Sequence, residues 1–187
     1  MKRELQVHLI PLLGIFLFTS LIWSLNRVPF YHYLFLLFGL GIGAFLLDLD
    51  HFIFWFVINP NTPNSQLALT AFRQSDWHSL FKLLETTHRQ HTNLVFHHFF
   101  FQITLTITSI FVFTISTSVF VLGLLLALNI HLLVDETDGY FNNKKHLQNW
   151  LFAREEKQLP IAYLGHYLIS FAIIAVFLLT VMVMSKI

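Results

Sequence analysis

Five long apolar runs dominate this chain and restrict what it can fold into. A helix needs about 20 consecutive apolar residues to cross a bilayer, and the sequence predicts spans at residues 7–25, 34–58, 94–113, 119–134 and 161–184. Of the 187 residues, 56% are hydrophobic and only 11% are charged, which is more apolar than a soluble domain of this size. We therefore expect an all-α fold, a polytopic helical membrane protein with about five transmembrane helices in one integral domain over residues 1–187.

Composition excludes several functional classes. The 11 Lys+Arg and 10 Asp+Glu give a net charge of +1, so the chain has no basic surface for nucleic acid. It has no Cys, which excludes disulfides and thiolate metal sites. A metal ion would need His and carboxylate ligands, and the chain has 11 His.

The distribution of basic residues predicts the orientation. The first span, residues 7–25, follows two basic residues but lacks a small-residue cleavage site, so we expect it to remain as an N-terminal anchor. Lys and Arg are enriched in cytoplasmic connections. With the N-terminus inside, the outer segments hold only Arg27 and Lys186. The inner segments then hold Lys2, Arg3, Arg73, Lys82, Arg89, Lys144, Lys145, Arg154 and Lys157.

The two long connections are expected to contain interfacial amphipathic helices. In the first, turn formers at residues 59–65 precede a helix predicted to start near Ser75. Its apolar residues follow the spacing i, i+3, i+4, i+7: Trp77, Leu80, Phe81 and Leu84. A weaker version of the pattern occurs in the second connection: Leu147, Trp150 and Leu151.

Gly39 and Gly43 form a GxxxG pair in the second span. Small residues at this spacing let helix backbones approach closely in lipid. The pair predicts that this helix lies centrally, against its neighbours.

Ionisable residues occur in three clusters within or beside the apolar runs, where an Asp at the centre of a span costs about 2.5–3.5 kcal/mol. The clusters are Asp48, Asp50 and His51; His88 and His91; and His131, Asp135 and Asp138. In the predicted topology all three reach the inner membrane face. Imidazoles and carboxylates brought to one depth by separate segments are typical of a Zn²⁺ or Mn²⁺ site.

Helical geometry limits which acids can act together. His131, Asp135 and Asp138 are spaced i, i+4, i+7 and share one helix face. Asp48 and Asp50 are about 200° apart on a regular helix. Both can be ligands only if the helix is interrupted or two metal ions bind, and otherwise one Asp orients a ligand His.

The middle cluster is expected to be helical at the entry to the third span. His88 and His91 then face the same way, since they are spaced i, i+3. His98 would stack two turns beyond His91, and His97 would point elsewhere.

These three clusters, in this order, resemble the bacterial and archaeal family of predicted membrane-bound metal-dependent hydrolases (YdjM-like) over roughly residues 34–139. The family's Pro-Asp-x-Asp-His, His-Arg-Gly-x-Thr-His and His-Leu-x-x-Asp boxes correspond to residues 47–51, 88–93 and 131–135. The chain departs from them with Leu47 for Pro, Gln90 for Gly and Asn93 for the second His of the middle box. An amide is a poor ligand for a transition metal, and the candidates to replace it are His91 and His97.

The resemblance implies a hydrolase of the bacterial or archaeal cytoplasmic membrane that uses a divalent metal, Zn or Mn. Arg89 would hold an anionic group, and Asp50 or Asp138 would act as general base. A site at the inner interface suggests a lipid or lipid-linked phosphoester as substrate, with membrane lipids as partners. The implied metal ligands are Asp48, Asp50, His51, His88, His131 and Asp135, and His91 is added as a candidate ligand in place of Asn93.

Other interpretations stay open at this point. The clusters could form a polar packing network without metal, or belong to a cation transporter, a non-enzymatic metal-binding protein or a degenerate family member. A haem carrier would pair His97 or His98 with His131. Histidines near the predicted span ends are expected to be structural: His8, His32, His78, His146 and His166.

Overall fold

Helices form most of the structure. The computed structural model describes residues 2–87 and 90–184, and within these ranges it contains no β-strand. The predicted all-α fold is confirmed. The helices are α1 Lys2–Leu25, α2 Phe30–Leu46, α3 Leu49–Ile53, α4 Pro63–Arg73, α5 Trp77–Thr87, α6 Phe99–Ile115, α7 Val119–Asn142, α8 Lys144–Leu151 and α9 Leu164–Met184.

In the described part of the chain, four helical segments are long and apolar enough to cross a membrane: Gln6–Leu25, Phe30–Ile58, Val119–Asn142 and Ile161–Met184. They correspond to four of the five predicted spans. Large side chains such as Phe18, Phe38 and Phe111 point outward and are more than half exposed. An apolar exterior of this kind suits lipid, as expected of an integral membrane protein.

For the remaining predicted span, residues 94–113, the predicted N-terminal boundary is wrong. Helix α6 begins only at Phe99, where the ring of His98 accepts the N–H of Phe100 (3.3 Å) as an N-cap. The N–H groups of Val95 and Phe96 are bound by the carboxylate of Asp50. Because these donors have a side-chain acceptor, the backbone of the segment can leave the helix without unsatisfied groups.

The second predicted span is interrupted at its polar end. Helix α2 stops at Leu46, and the bonds from Asp48 N to Phe45 O (3.2 Å) and from His51 N to Asp48 O (3.1 Å) form a tighter turn. Helix α3 follows and continues as a π-helical turn, Phe54–Ile58. Because of this interruption, the side chains of Asp48 and Asp50 point in different directions.

The amphipathic helix predicted near Ser75 is present as α5. Ser75 has a positive φ of 55°, and Asp76 caps the helix by accepting the N–H of Ser79 (3.0 Å). Leu80 is fully buried, whereas Trp77 stays half exposed on the outside. The same connection also holds α4, which sequence analysis missed.

Helix α4 starts inside the predicted turn segment, residues 59–65. Thr62 is its N-cap, accepting the N–H of Ser65 (3.2 Å), and Pro63 occupies the first turn. Threonine followed by proline is a good helix start as well as a turn signal. In the second connection α8 buries Leu147 and Leu151 as predicted.

Helix α2 packs along α7 more extensively than any other helix pair does in the described chain. A Cβ at Gly39 would lie 2.4 Å from the carbonyl oxygen of Phe120, and one at Gly43 would lie 2.5 Å from the Cβ of Ala127. The two backbones are therefore in direct contact at the glycine pair. The central position predicted for this helix is confirmed, and it fixes the polar end of α2 against α7.

Candidate metal centre

His131 is held in one orientation by the α2–α7 contact. It lies on α7, and its Nδ1 donates to the carbonyl oxygen of Ala44 on α2 (2.8 Å). A carbonyl only accepts, so Nδ1 carries the proton and the lone pair of the neutral ring is on Nε2. Nε2 is buried and faces the carboxylate of Asp135, 3.2 Å away, without good hydrogen-bond geometry. A ring fixed in this way through its other nitrogen is the usual arrangement of a metal-binding histidine.

Asp135 lies one helical turn after His131 and faces the same way, as predicted from the i, i+4 spacing. Its Oδ2 is 3.2 Å from His131 Nε2, and its Oδ1 is 3.2 Å from His8 Nε2. The rings of His8 and His131 stack with centroids 4.1 Å apart. The three ligand atoms lie within 4.8 Å of one another and could hold a metal ion. Two imidazoles and a carboxylate match the donor sets of protein zinc sites.

His8 corrects the sequence analysis, which expected a structural residue near a span end. It is buried on α1, one turn into the first apolar segment. A signal for it was present, because the predicted topology starts the first span at the membrane face where the three clusters meet. The N-terminal helix is thus part of the centre.

Asp48 and Asp50 point in different directions. Oδ1 of Asp48 is 3.6 Å from His131 Nε2, so this carboxylate borders the centre. Asp50 is fully buried, accepts the N–H groups of Val95 (3.0 Å, at Oδ1) and Phe96 (at Oδ2), and contacts His97. The two carboxylates therefore have different surroundings, Asp48 beside His131 and Asp50 beside His97.

Helical spacing predicted that His97 points elsewhere, although the residue was also a candidate to replace the missing histidine of the middle box; the structure places it against the centre. Its Nδ1 is 3.3 Å from Asp50 Oδ2, and its Nε2 is 3.4 Å from Asp135 Oδ2. The expectation assumed a helix through residues 91–98, but this segment is irregular. His98, one residue later, caps α6 and does not stack beyond His91 as predicted.

The other predicted ligands line the wall of the same cavity. Nδ1 of His51 and Nδ1 of His91 are 2.9 Å apart, and the ring of His91 stacks on Phe54. His88 and Arg89 lie outside the described residues, so their assigned roles stay predictions.

Asn93, which replaces the second histidine of the middle box, does not line the cavity. Its Oδ1 accepts the Nε–H of Arg154 (2.8 Å), which lies after α8. The amide thus ties the irregular segment to the second connection.

A cavity of about 740 Å³ opens over the centre. Asp138, the predicted general base, lines it and accepts the amide N–H of Asn142 (2.8 Å). The cavity is also bounded by apolar side chains of α1–α3 and α5: Val7, Phe45, Leu49, Phe52, Phe81 and Leu84. A water-accessible space with an apolar wall next to the His/Asp group is large enough for a small amphiphile.

Comparisons with protein-family models, with curated proteins and with solved structures found no match. The resemblance to the YdjM-like hydrolases therefore rests on the three sequence boxes.

Proposed function

We propose that this protein is a membrane-embedded metal-dependent hydrolase and a member of the YdjM-like family. The observation that carries the proposal is the group of His8, His131 and Asp135, whose ligand atoms lie within 4.8 Å of one another at the polar end of apolar helices. Burying His and Asp within a membrane costs free energy, and residues of this kind usually mark functional sites. Zn or Mn suits the mixed imidazole and carboxylate donors.

The residues of the centre have separate roles in this proposal. The metal is bound by His8, His131 and Asp135. Asp48 lies beside the metal position, close enough for a further contact with the ion. A bound dication supplies a Lewis acid and water acidic enough to attack near neutral pH. Asp138, on the cavity wall, serves as general base. Asp50 is not given that role because both of its oxygens already accept N–H groups.

The cavity supports a lipid or lipid-linked phosphoester as substrate class. Phe45 and Leu49 line it and are 39% and 49% exposed. Exposed apolar side chains at the cavity support sideways entry of an amphiphile from the membrane. Arg89 would bind the anionic group. The enrichment of Lys and Arg in the two long connections supports a centre at the cytoplasmic side of a bacterial or archaeal membrane, with the N-terminus inside.

Elemental analysis of the detergent-purified protein tests the metal. We expect stoichiometric Zn or Mn in the wild type and its loss in His131→Ala and Asp135→Ala. His32→Ala is the matched control, because His32 is also a buried histidine on a spanning segment but lies at the opposite end of α2. Wild-type protein without metal, or variants that keep it, would refute the proposed centre.

A substrate screen tests the activity. Metal-loaded protein is incubated with phospholipids and lipid-linked phosphates, and turnover is measured with and without a chelator. We expect turnover that the chelator abolishes and that Asp138→Asn reduces by 10²-fold or more, the order of a lost general base. Retained metal with no turnover would favour a non-enzymatic metal-binding protein instead.

A further inference from the structure

We infer that His97 is a further metal ligand of this centre, through Nε2, and that Asp50 is the carboxylate that orients it. The inference rests on the proposed function, because it concerns the same metal centre. It goes beyond the group of His8, His131 and Asp135 by assigning roles to a histidine and a buried acid outside that group.

The carboxylate of Asp50 is held in a fixed position. It is 0% exposed and is fixed by two backbone donors, the N–H groups of Val95 and Phe96. These contacts leave room on Oδ2 for one more donor, and Nδ1 of His97 lies 3.3 Å away. Nδ1 therefore donates to Asp50. A carboxylate that is itself held by backbone N–H groups fixes an imidazole firmly.

The contact with Asp50 determines where Nε2 of His97 points. With Nδ1 donating to Asp50, Nε2 of His97 points at Oδ2 of Asp135, 3.4 Å away. The same oxygen lies 3.2 Å from Nε2 of His131. Two imidazole nitrogens thus converge on one carboxylate oxygen from different elements, the irregular segment and α7.

The rings of His97 and His131 have matching surroundings. Each ring is buried, each donates through Nδ1 to an oxygen acceptor, and each directs Nε2 to Asp135. In protein metal sites the ligand histidine characteristically donates its other N–H to a carboxylate or a backbone carbonyl. Asp50 supplies the carboxylate for one ring, and Ala44 supplies the carbonyl for the other.

The packing around His97 supports the assignment. The indole of Trp150 on α8 stacks on its ring with centroids 5.1 Å apart, which shields the ring from water. The ring is 2% exposed. The irregular backbone of residues 91–98, which Asp50 stabilises by accepting two N–H groups, is what turns His97 inward. A competing interpretation is a purely structural role, in which His97 bridges Asp50 and Asp135 as a doubly hydrogen-bonded imidazolium and binds no metal.

X-ray absorption at the zinc edge distinguishes the two roles, because it counts imidazole ligands directly. We expect the spectrum of the wild-type zinc protein to fit three imidazole ligands, which are His8, His97 and His131. The spectrum of His97→Gln should fit one imidazole fewer. The wild-type count does not depend on whether any variant folds. A wild-type count that fits only two imidazoles, or an unchanged count in His97→Gln, would overturn the inference.

Zinc affinity, measured by competition with a coloured chelator, tests the role of Asp50. Asp50→Asn removes the negative charge and one acceptor oxygen from the contact with His97, and we expect zinc to bind about 10–100-fold more weakly. His98→Asn is the matched control, because it changes the adjacent buried histidine while keeping a good N-cap for α6. Equal affinities in Asp50→Asn and the control would refute the orienting role.

The outcomes separate this inference from the proposed function. Wild-type protein that binds neither zinc nor manganese refutes both. Wild-type protein that binds zinc with His97 uncoordinated refutes only the inference, and leaves the centre of His8, His131 and Asp135.

Discussion

Replacing Gly39 by Ala should separate the two central helices and weaken the metal centre with them. The added Cβ would lie 2.4 Å from the carbonyl oxygen of Phe120 and 2.9 Å from the N of Leu124. Ordinary contact begins near 3.4 Å, so the overlap with Phe120 is about 1 Å. Both contacts are with backbone, and no rotamer change can relieve them. Helix α2 must therefore move away from α7.

The cost has two parts. Overpacking a tight interface costs about 1–3 kcal/mol. A shift of about 1 Å would also stretch the 2.8 Å bond from His131 Nδ1 to Ala44 O beyond hydrogen-bonding distance, which removes about 0.5–1.5 kcal/mol. For a chain of this size the sum corresponds to a melting temperature lower by about 3–18 °C. Zinc should bind more weakly as well, because the ring of His131 loses the acceptor that orients it.

Gly41→Ala is the matched control, since a Cβ at Gly41 meets nothing within 4 Å. Both variants gain the same helix propensity, up to about 1 kcal/mol, so their difference isolates the helix contact. Thermal unfolding in detergent and zinc competition are measured on both. Equal melting temperatures and equal affinities for Gly39→Ala and Gly41→Ala would show that the glycine pair does not bring α2 onto α7, and the packing argument would be wrong.

Three further predictions concern other parts of the chain. His8→Gln should weaken zinc binding at least about tenfold in a chelator competition, and unchanged affinity would remove α1 from the centre. Gln102→Leu should lower stability by about 1–3 kcal/mol, because it removes the N–H donor (3.0 Å) from the buried carboxylate of Glu136; unfolding curves matching those of the wild type would contradict this. The hydrogen bonds of Ser79 to the cap of α5 lower the pKa of Asp76 below its usual value, so the cap is intact above about pH 4 and is lost as the pH falls through the lowered pKa. Hydrogen-exchange protection factors in the first turn of α5, which correct for the intrinsic pH dependence of exchange, should therefore fall in acid in the wild type and should be low at all pH values in Asp76→Ala.

Much of the site's position follows from the sequence because local periodicity carries it. The i, i+4 spacing of His131 and Asp135 predicts a shared helix face, and the structure shows it. The positions of Gly39 and Gly43 predict the close contact that brings the carbonyl of Ala44 to His131. Both predictions depend only on the period of an α-helix.

The composition of the centre could not be predicted in the same way. His97 reaches Asp135 because the chain is not helical over residues 91–98, and it is not helical because the carboxylate of Asp50 binds the N–H groups of residues far along the chain. No local pattern near His97 records that contact. The roles of Asp48 and Asp50 were likewise undecided until the turn after α2 was known.

The sequence by itself determined that this is a helical membrane protein, that α2 is central, and that His and Asp gather at one end of the helices. These properties follow from apolar length, from small-residue spacing and from the cost of charge in lipid, which are all local. Only the tertiary structure decided that His8 and His97 contact Asp135 and that Asp50 contacts His97. The reason is physical: those contacts form between segments whose relative positions are set by packing, and a single helix period does not encode them.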